Sequence, residues 1–166
     1  MSFFINLIER IKNLLKKENI YFLTLALIIF FFDRASKSKI INDFNQSTYY
    51  INEYINFDLI WNIGIGFGLF STDLTLFYTL VTILIGLVIL LLFYFFAESD
   101  TLDKLIYSII IGGAIGNFYD RLIYKAVPDF IDIHYNNFHW FTFNVADIFI
   151  TIGILIFILR SFFIKN

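Results

Sequence analysis

The chain has 166 residues, of which 59% are hydrophobic, against about 45–50% in typical soluble proteins, and only 16% are charged. A water-soluble globule of this size could not hide so much apolar surface, and intrinsic disorder is excluded for the same reason. The net charge of −2, without a long basic run, argues against a nucleic-acid partner, and the absence of cysteine excludes disulfides and cysteine-ligated metals. The composition indicates a protein that folds in a lipid bilayer.

The first nineteen residues predict an amphipathic helix that lies in the membrane interface. Phe4, Ile8, Ile11 and Leu15 recur at helical spacing, with lysine side chains on other faces. Four apolar stretches follow that approach or meet the length of about 20 residues needed to cross a bilayer. The predicted spans cover residues 20–39, 74–97, 105–125 and 143–160.

Basic residues near the beginning of the chain predict a cytoplasmic N-terminus, and four spans return the C-terminus to the same side. Residues 40–73 and 126–142 are then extracytoplasmic. The first of these stretches alternates Tyr, Ile, Asn and Phe before a glycine-rich segment, which predicts short strands in a small β platform. We therefore expect a single all-α membrane domain over residues 1–166, a bundle of four transmembrane helices with an extracytoplasmic β platform.

Ionisable residues concentrate at the outer ends of three predicted helices, where burial in lipid is costly. In the first helix, Asp33 and Lys37 are four residues apart, so they share a face and can form an ion pair. This pair either neutralises the end of the helix or supports a nearby site.

The third predicted helix carries one polar stripe, because Asn117, Asp120, Arg121 and Tyr124 follow offsets of three, four and seven. The small residues within 112–116 precede the stripe and let another helix pack closely. The stripe is interpreted as a contact between helices in which Arg121 bridges carboxylates.

Two further aspartates are the candidates for chemistry. Asn144 and Asp147 lie on one face at the start of the fourth helix, and Asp147 has no basic neighbour in sequence, which marks it as a functional candidate. Pro128 is predicted to end the third helix, which puts Asp129 on the loop beyond it, at about the membrane depth of Asp147. Asp129 is then either an exposed loop acid or a partner of Asp147.

Two close carboxyls can hydrolyse a peptide bond, because they share one proton: the ionised group activates water while the protonated group binds the scissile carbonyl. The zinc motif HExxH and the serine motif GxSG are both missing from the sequence. His134 and His139 could bind a metal with Asp132, but polar residues at the membrane interface beside Trp140 are the simpler interpretation.

Five motifs occur in order along the chain: Asp33-x-x-Ser36-Lys37, Asn62-x-Gly64-x-Gly66-Phe67, Gly112-Gly113-Ala114-Ile115-Gly116-Asn117-x-x-Asp120-Arg121, Val127-x-Asp129-Phe130 and Phe143-Asn144-Val145-Ala146-Asp147. In this set the chain resembles the lipoprotein signal peptidases (signal peptidase II), bacterial membrane aspartyl proteases, over residues 21–159. The motifs depart from the family pattern at Lys125, where the family often has Gly, at Pro128, and at Gly66.

The resemblance implies that Asp129 and Asp147 are the catalytic pair and that no metal or other cofactor is required. It implies a diacylglyceryl-modified prolipoprotein as substrate, cut just before the lipidated cysteine, in the bacterial inner membrane with the active site at its outer surface. We expect a monomer among membrane lipids. By the same resemblance, a further set of residues shapes the site or binds substrate: Asp33, Lys37, Asn62, Gly64, Asn117, Asp120, Arg121, Asn144 and Ala146.

Two other classes of function are alternatives. A small proton-coupled or ion-conducting transporter would use aspartates and an arginine within helices, but its pathway should cross the bilayer, whereas these charges cluster at one surface. A non-catalytic assembly or lipid-binding subunit would use the polar stripe only to join helices.

Overall fold

The computed structural model describes residues 16–43, 48–64, 75–136 and 138–164. Within them the chain forms four helices and four strands. The helices are α1 (Lys17–Asp43), α2 (Thr75–Glu98), α3 (Thr101–Tyr124) and α4 (Val145–Ile164), and the strands are β1 (Tyr49–Asn52), β2 (Ile55–Asn62), β3 (Val127–Tyr135) and β4 (Phe138–Phe143). The predicted interfacial helix over residues 1–19 lies almost entirely outside the described residues.

Three of the described helices are long and apolar enough to cross a membrane: Lys17–Asp43, Tyr78–Glu98 and Val145–Phe163. They coincide with the first, second and fourth predicted spans. Helix α3 has a comparable length, about 36 Å at 1.5 Å per residue, but it is not one of these three, and a polar stripe interrupts its apolar sequence. The outward faces of the helices carry exposed aliphatic side chains, such as Leu84 and Leu90, as expected for helices that contact lipid.

Helix α3 is the centre of the bundle and packs against α1, α2 and α4. The glycines of α3 allow the neighbouring helices to pack closely against it. A Cβ atom on Gly112 would lie 2.7 Å from the carbonyl oxygen of Ala26 in α1, and one on Gly113 would lie 2.6 Å from that of Ala146 in α4. The predicted close packing at this small-residue segment is therefore confirmed. Phe96 and Ile111 form a small apolar core with Ala26.

Asp100 and Lys125 define the two ends of α3. The Asp100 side chain accepts hydrogen bonds from the backbone N–H groups of Leu102 and Asp103, each 3.0 Å long, and so caps the N-terminus. At the other end Lys125 adopts a left-handed conformation, with φ of 58° and ψ of 20°, and stops the helix. The prediction that Pro128 ends the helix was wrong, since Pro128 already lies in β3.

The strands form one antiparallel sheet in the order β1-β2-β3-β4. The sheet lies at the end of the bundle where α1 and α3 finish and α4 begins, opposite the turn between α2 and α3. The predicted strands in residues 40–73 are β1 and β2, but β3 and β4 supply half of the sheet from residues expected to be loop. Asp129 accordingly lies on a strand, paired with Ile60 of β2, and its predicted loop position was wrong.

Candidate active site

The first turn of α4 fixes the side chain of Asp147 through a reciprocal pair of hydrogen bonds. The backbone N–H of Asp147 donates to Oδ1 of Asn144 over 3.1 Å, and the backbone N–H of Asn144 donates to Oδ2 of Asp147 over 3.2 Å. This is a capping box, in which residues three apart satisfy each other's free backbone donors at a helix N-terminus. The carboxylate also lies at the positive end of the helix dipole, which stabilises negative charge.

The side chain of Asp129, on β3, also contacts Asn144. Its Oδ1 accepts a 2.6 Å hydrogen bond from Nδ2 of Asn144, and its Oδ2 accepts a 2.9 Å bond from Nδ2 of Asn62 at the end of β2. Asn144 therefore contacts both carboxyls, one through its side-chain amide and the other through its backbone N–H. Two acids that lie 18 residues apart in the sequence are brought together by this one residue.

Burial and the neighbouring charge of Asp147 raise the pKa of Asp129 to about 6, because a carboxylate is disfavoured both away from water and near another carboxylate. The amide donors of Asn62 and Asn144 work in the opposite direction by stabilising the charged form. Only 3% of Asp129 is exposed. A carboxyl with a pKa of about 6 can gain or lose its proton near neutral pH, as a general acid or base must.

A chain of hydrogen bonds supports Asp147 from the interior of the bundle. Nζ of Lys37 donates to Oδ1 of Asn117 over 2.8 Å, and Nδ2 of Asn117 donates to Oδ1 of Asp147 over 2.7 Å. Because an ammonium group can only donate, Lys37 orients the Asn117 amide with its N–H side toward Asp147. Lys37 is fully buried.

Asp33 connects this network to the start of α4. Its Oδ2 accepts from Nζ of Lys37 over 2.8 Å, which confirms the predicted ion pair, and its Oδ1 accepts from the backbone N–H of Ala146 over 2.9 Å. Ala146 directly precedes Asp147. A Cβ on Gly116 would lie 2.5 Å from Asp33 Oδ2, so only glycine leaves room for this carboxylate.

The comparisons with known proteins decide the family. The family model described as Signal peptidase (SPase) II matches residues 25–163. The chain belongs to the signal peptidase II family. It is 47% identical to a lipoprotein signal peptidase of Pelagibacter ubique (strain HTCC1062), with 93% of this chain and 95% of the relative covered. It is 39% identical to a lipoprotein signal peptidase of Blochmanniella pennsylvanica (strain BPEN), over 90% of this chain and 94% of the relative.

The fold of this signal peptidase II chain is similar to two solved structures of bacterial membrane enzymes obtained by the in meso method. The first, at 2.3 Å resolution, has a TM-score of 0.75 and 27% identity and covers 88% of this chain and 90% of its own. The second, at 1.9 Å resolution, has a TM-score of 0.70 and 26% identity and covers 85% of this chain and 92% of its own. The chain is therefore a membrane-embedded member of a peptidase family.

Asp120 has different partners in this signal peptidase II chain from those the sequence suggested. Arg34 pairs with Asp120 Oδ1, and Nζ of Lys37 lies 2.8 Å from Asp120 Oδ2. Sequence reasoning did not include Arg34 in the site. The sequence did contain a signal for this role, because Arg34 is a charged residue inside an apolar helix. In the structure its guanidinium also lies 4.7 Å from the ring centre of Tyr119 on α3.

Within the described residues Arg121 forms no ion pair with a carboxylate, so the predicted bridge between carboxylates was wrong. Its guanidinium instead donates to two backbone carbonyls, that of Gly64 over 2.9 Å and that of Asn117 over 3.3 Å. The backbone N–H of Gly64 donates to Oδ1 of Asn62 over 2.8 Å, so Arg121 and Asn62 together fix the chain just after β2. Gly66 and the rest of the glycine-rich segment lie outside the described residues.

An apolar cavity of about 250 Å³ opens beside Asp147. Except for Asp147 itself and the hydroxyl of Thr151, its lining is hydrocarbon or aromatic. The lining residues are Phe141, Phe143, Asp147, Ile148, Thr151 and Ile152. The structure thus places every site residue predicted from the sequence around the two carboxyls or in the network behind them, and it adds the aromatic residues of β4.

Proposed function

We propose that this chain is an aspartic endopeptidase that removes the signal peptide from diacylglyceryl-modified prolipoproteins and cuts just before the lipidated cysteine. The names of its relatives support a signal peptidase acting on lipoproteins. The observation that carries the aspartic mechanism is the double contact of Asn144, which holds Asp129 and Asp147 together at the end of the bundle.

In the proposed mechanism, the pair begins with one proton. The ionised carboxyl takes a proton from water as the water oxygen attacks the scissile carbonyl carbon, and the protonated carboxyl donates its proton to the carbonyl oxygen. The resulting tetrahedral diol collapses when a proton passes to the leaving nitrogen and the C–N bond breaks. The products are a signal peptide with a free carboxyl group and a lipoprotein with a free amino group on its cysteine.

The surroundings of the pair support an acyl-bearing substrate. The cavity beside Asp147 is lined by Phe141, Phe143 and aliphatic side chains of α4, so it would accept the apolar part of a lipid-anchored substrate. We place the pair at the outer surface of the bacterial inner membrane, with all four helices, α3 included, crossing the membrane and both termini in the cytoplasm. Asp33, Lys37, Asn117 and Asp120 then act as positioning residues behind the pair.

We further propose that residues 1–166 work as one membrane domain and as a monomer among lipids. Both carboxyls and their hydrogen-bond partners Asn62, Asn117 and Asn144 come from a single chain, which supports a site complete in one copy.

The test is cleavage of a purified, lipidated prolipoprotein by the purified chain in detergent. Asp129→Asn and Asp147→Asn should each lower the rate by about 10²–10⁴-fold or more, because either change removes one half of the acid–base pair. The matched control is Asp58→Asn, which alters an acid on β2 outside these contacts and should leave the rate within a factor of two or so. Substantial cleavage by either of the first two variants would contradict the mechanism.

The same preparation separates the alternatives. A proton-coupled transporter, which the peptidase relatives do not favour, would carry protons across vesicle membranes without releasing a signal peptide. A non-catalytic assembly subunit would do neither. We expect released signal peptide and no proton flux.

A further inference from the structure

Asp132, His134 and His139 form a second polar cluster on the sheet, and the geometry of β3 and β4 explains why they meet. Alternate residues of a strand share a face, so Asp132 and His134 project from the same side of β3. His134 is paired with His139 of β4, because a register shift after Ile133 leaves Trp140 as an extra residue in β4. Such a bulge redirects the side chains of the strand that carries it.

The three side chains converge on one carboxylate oxygen. Nδ1 of His139 lies 2.8 Å from Oδ2 of Asp132, and Nδ1 of His134 lies 3.3 Å from the same oxygen. The two imidazole rings are 5.3 Å apart between centres and nearly parallel, with an angle of 26°. One potential ligand atom from each residue falls within 4.8 Å of the others.

Two buried polar atoms on this face lack hydrogen bonds within the described part of the chain. Nδ1 of His134 is one, because its approach to Asp132 does not have hydrogen-bond geometry, and His134 is only 9% exposed. The other is Oδ1 of Asn56, the residue paired with Asp132 across β2 and β3. Burying such groups unpaired is costly, so the unpaired Nδ1 of His134, 3.3 Å from Asp132 Oδ2, points to an additional ligand.

His134 also borders a cavity of about 340 Å³. Its other lining residues are Tyr50, Glu53, Tyr135 and Asn136. Asp132 itself is only 3% exposed, so its carboxylate is shielded from solvent. His139, whose side chain is 62% exposed, is free to adjust its position.

We propose that Asp132, His134 and His139 bind a divalent transition-metal ion, with zinc as the best match. Two imidazoles and a carboxylate are ligands typical of zinc, whereas magnesium and calcium prefer oxygen alone. Tetrahedral zinc with bonds near 2.0–2.1 Å separates its ligand atoms by about 3.3 Å. The separations of 2.8 and 3.3 Å from Asp132 Oδ2 are close to that value.

The proposed metal is structural and separate from the peptidase site. Asp129 and Asp132 are three residues apart on β3, so their side chains project from opposite faces of the strand. A metal would tie β3 to β4 near the tip of their hairpin, and β4 leads directly into Asn144 and α4. Its effect on the catalytic pair would be indirect, through the stability of this hairpin.

The test uses the full chain without an affinity tag, purified in detergent and stripped with a chelator, and then titrated with Co²⁺ or Zn²⁺ alone. The chain has two histidines and no cysteine, so an imidazole–cobalt absorption spectrum can arise only from this cluster. We expect one ion per chain and a melting temperature that rises with the Zn²⁺ concentration.

His139→Gln should weaken binding by about 100-fold or more, because it removes a ligand outright while changing only an exposed side chain. Asp132→Asn should act in the same direction, and Asp58→Asn on the neighbouring strand is the matched control that should bind as the parent does. Failure of the parent chain to bind at 1 mM metal, or equal binding by His139→Gln, would overturn the proposal. Neither result would bear on prolipoprotein cleavage, which is measured separately.

Discussion

Asn144 uses three of its polar groups on the two aspartates. Its side-chain amide donates to Asp129, its side-chain oxygen accepts from the backbone of Asp147, and its own backbone N–H donates to the Asp147 carboxylate. No other amino acid of this size offers a donor and an acceptor on one side chain in this arrangement. The N-cap residue of α4 therefore not only begins the helix but also holds the two aspartates near each other.

Under the proposed mechanism, the pH dependence of activity follows from the ionisation of Asp129. With its pKa raised to about 6, loss of the shared proton should lower kcat/KM as the pH rises through this region. Asn62→Ala removes a donor that stabilises the ionised carboxylate, so the pKa of Asp129 should rise further. We expect the alkaline limb of the kcat/KM profile to move to higher pH by roughly one unit or less.

Asn42→Ala, on the exposed last turn of α1, is the control for this measurement and should leave the profile in place. A variant that merely loosens the site would lose rate at every pH without shifting the limb. A shift of the Asn62→Ala limb toward lower pH would contradict the role assigned to the Asn62 amide.

The same ionisation affects stability. The folded state binds the Asp129 proton more tightly than the unfolded chain, in which the pKa is near 3.8. Its contribution to the free energy of unfolding is therefore fully present below pH 3.8 and is lost as the pH rises through about 6. An ionised Asp129 at neutral pH therefore lowers the stability of the fold.

At the scale of elements, the contact between α1 and α3 depends on buried charges that balance. Arg34 and Lys37 on one helix meet Asp120 on the other, and Asp33 supplies the second negative charge. Asp120→Asn leaves an excess positive charge in the interior and should lower the free energy of unfolding by about 3 kcal/mol, with partial loss of activity.

A double-mutant cycle isolates this contact. Arg34→Met combined with Asp120→Asn should cost less than the sum of the two single changes, with a coupling of about 1–3 kcal/mol measured by thermal unfolding in detergent. The pair between Arg160 and Asp100 is the control, and its coupling should be much smaller because Asp100 is exposed. Strict additivity of Arg34→Met and Asp120→Asn would show that the contact contributes nothing.

The end of α3 offers a stabilising change. Lys125 has a φ of 58°, a left-handed conformation that costs a residue with a side chain about 1–2 kcal/mol. Lys125→Gly should raise the free energy of unfolding by about 1 kcal/mol or less, since glycine also gains freedom in the unfolded chain. Asn136 has a φ of 53°, so Asn136→Gly is the matched comparison. This change should raise the free energy of unfolding by less, because asparagine tolerates the left-handed conformation. A loss of stability in Lys125→Gly would contradict this assignment.

The helices could be predicted from the sequence, and the strands after α3 could not. Long apolar runs identify α2 and α4 because lipid requires them. In β3 the alternation of Ile131 and Ile133 with Asp132 was a period-two signal, but Pro128 suggested a loop instead. Nothing in a single strand indicates its partners, so the pairing with β2 and β4 depends on the folded sheet.

The candidate site divides in the same way. The pair of Asp33 and Lys37 could be predicted because four residues make one turn of a helix. The contacts of Arg34 with Asp120 and of Arg121 with Gly64 join residues 86 and 57 positions apart, and helical spacing carries no information about them. The catalytic assignment itself came from the resemblance and stays a prediction until the aspartate variants are measured.

At the scale of the whole molecule, the described chain has two polar ends separated by apolar helix surfaces. One end holds the sheet and the two candidate catalytic carboxyls. At the other end Arg160 of α4 pairs with Asp100 and Asp103 at the start of α3. Because these charged residues lie at the ends of the helices, they need not be buried in lipid. The hydrogen bonds from Arg160 lower the pKa of Asp100 to about 2, so this pair stays charged over the physiological range.

These two ends predict the orientation of the protein. Because the chain has no cysteine, a single introduced cysteine can show on which side of the membrane its position lies. Glu53→Cys lies in the exposed turn between β1 and β2, and Thr101→Cys lies at the exposed start of α3. We expect a membrane-impermeant maleimide to label Glu53→Cys in intact spheroplasts and Thr101→Cys only after the membrane is opened, since the proposed function requires a substrate anchored in the outer leaflet to meet Asp129 and Asp147 there. Labelling of Thr101→Cys in intact spheroplasts would reverse the orientation and place the two carboxyls on the wrong side of the membrane for a translocated prolipoprotein.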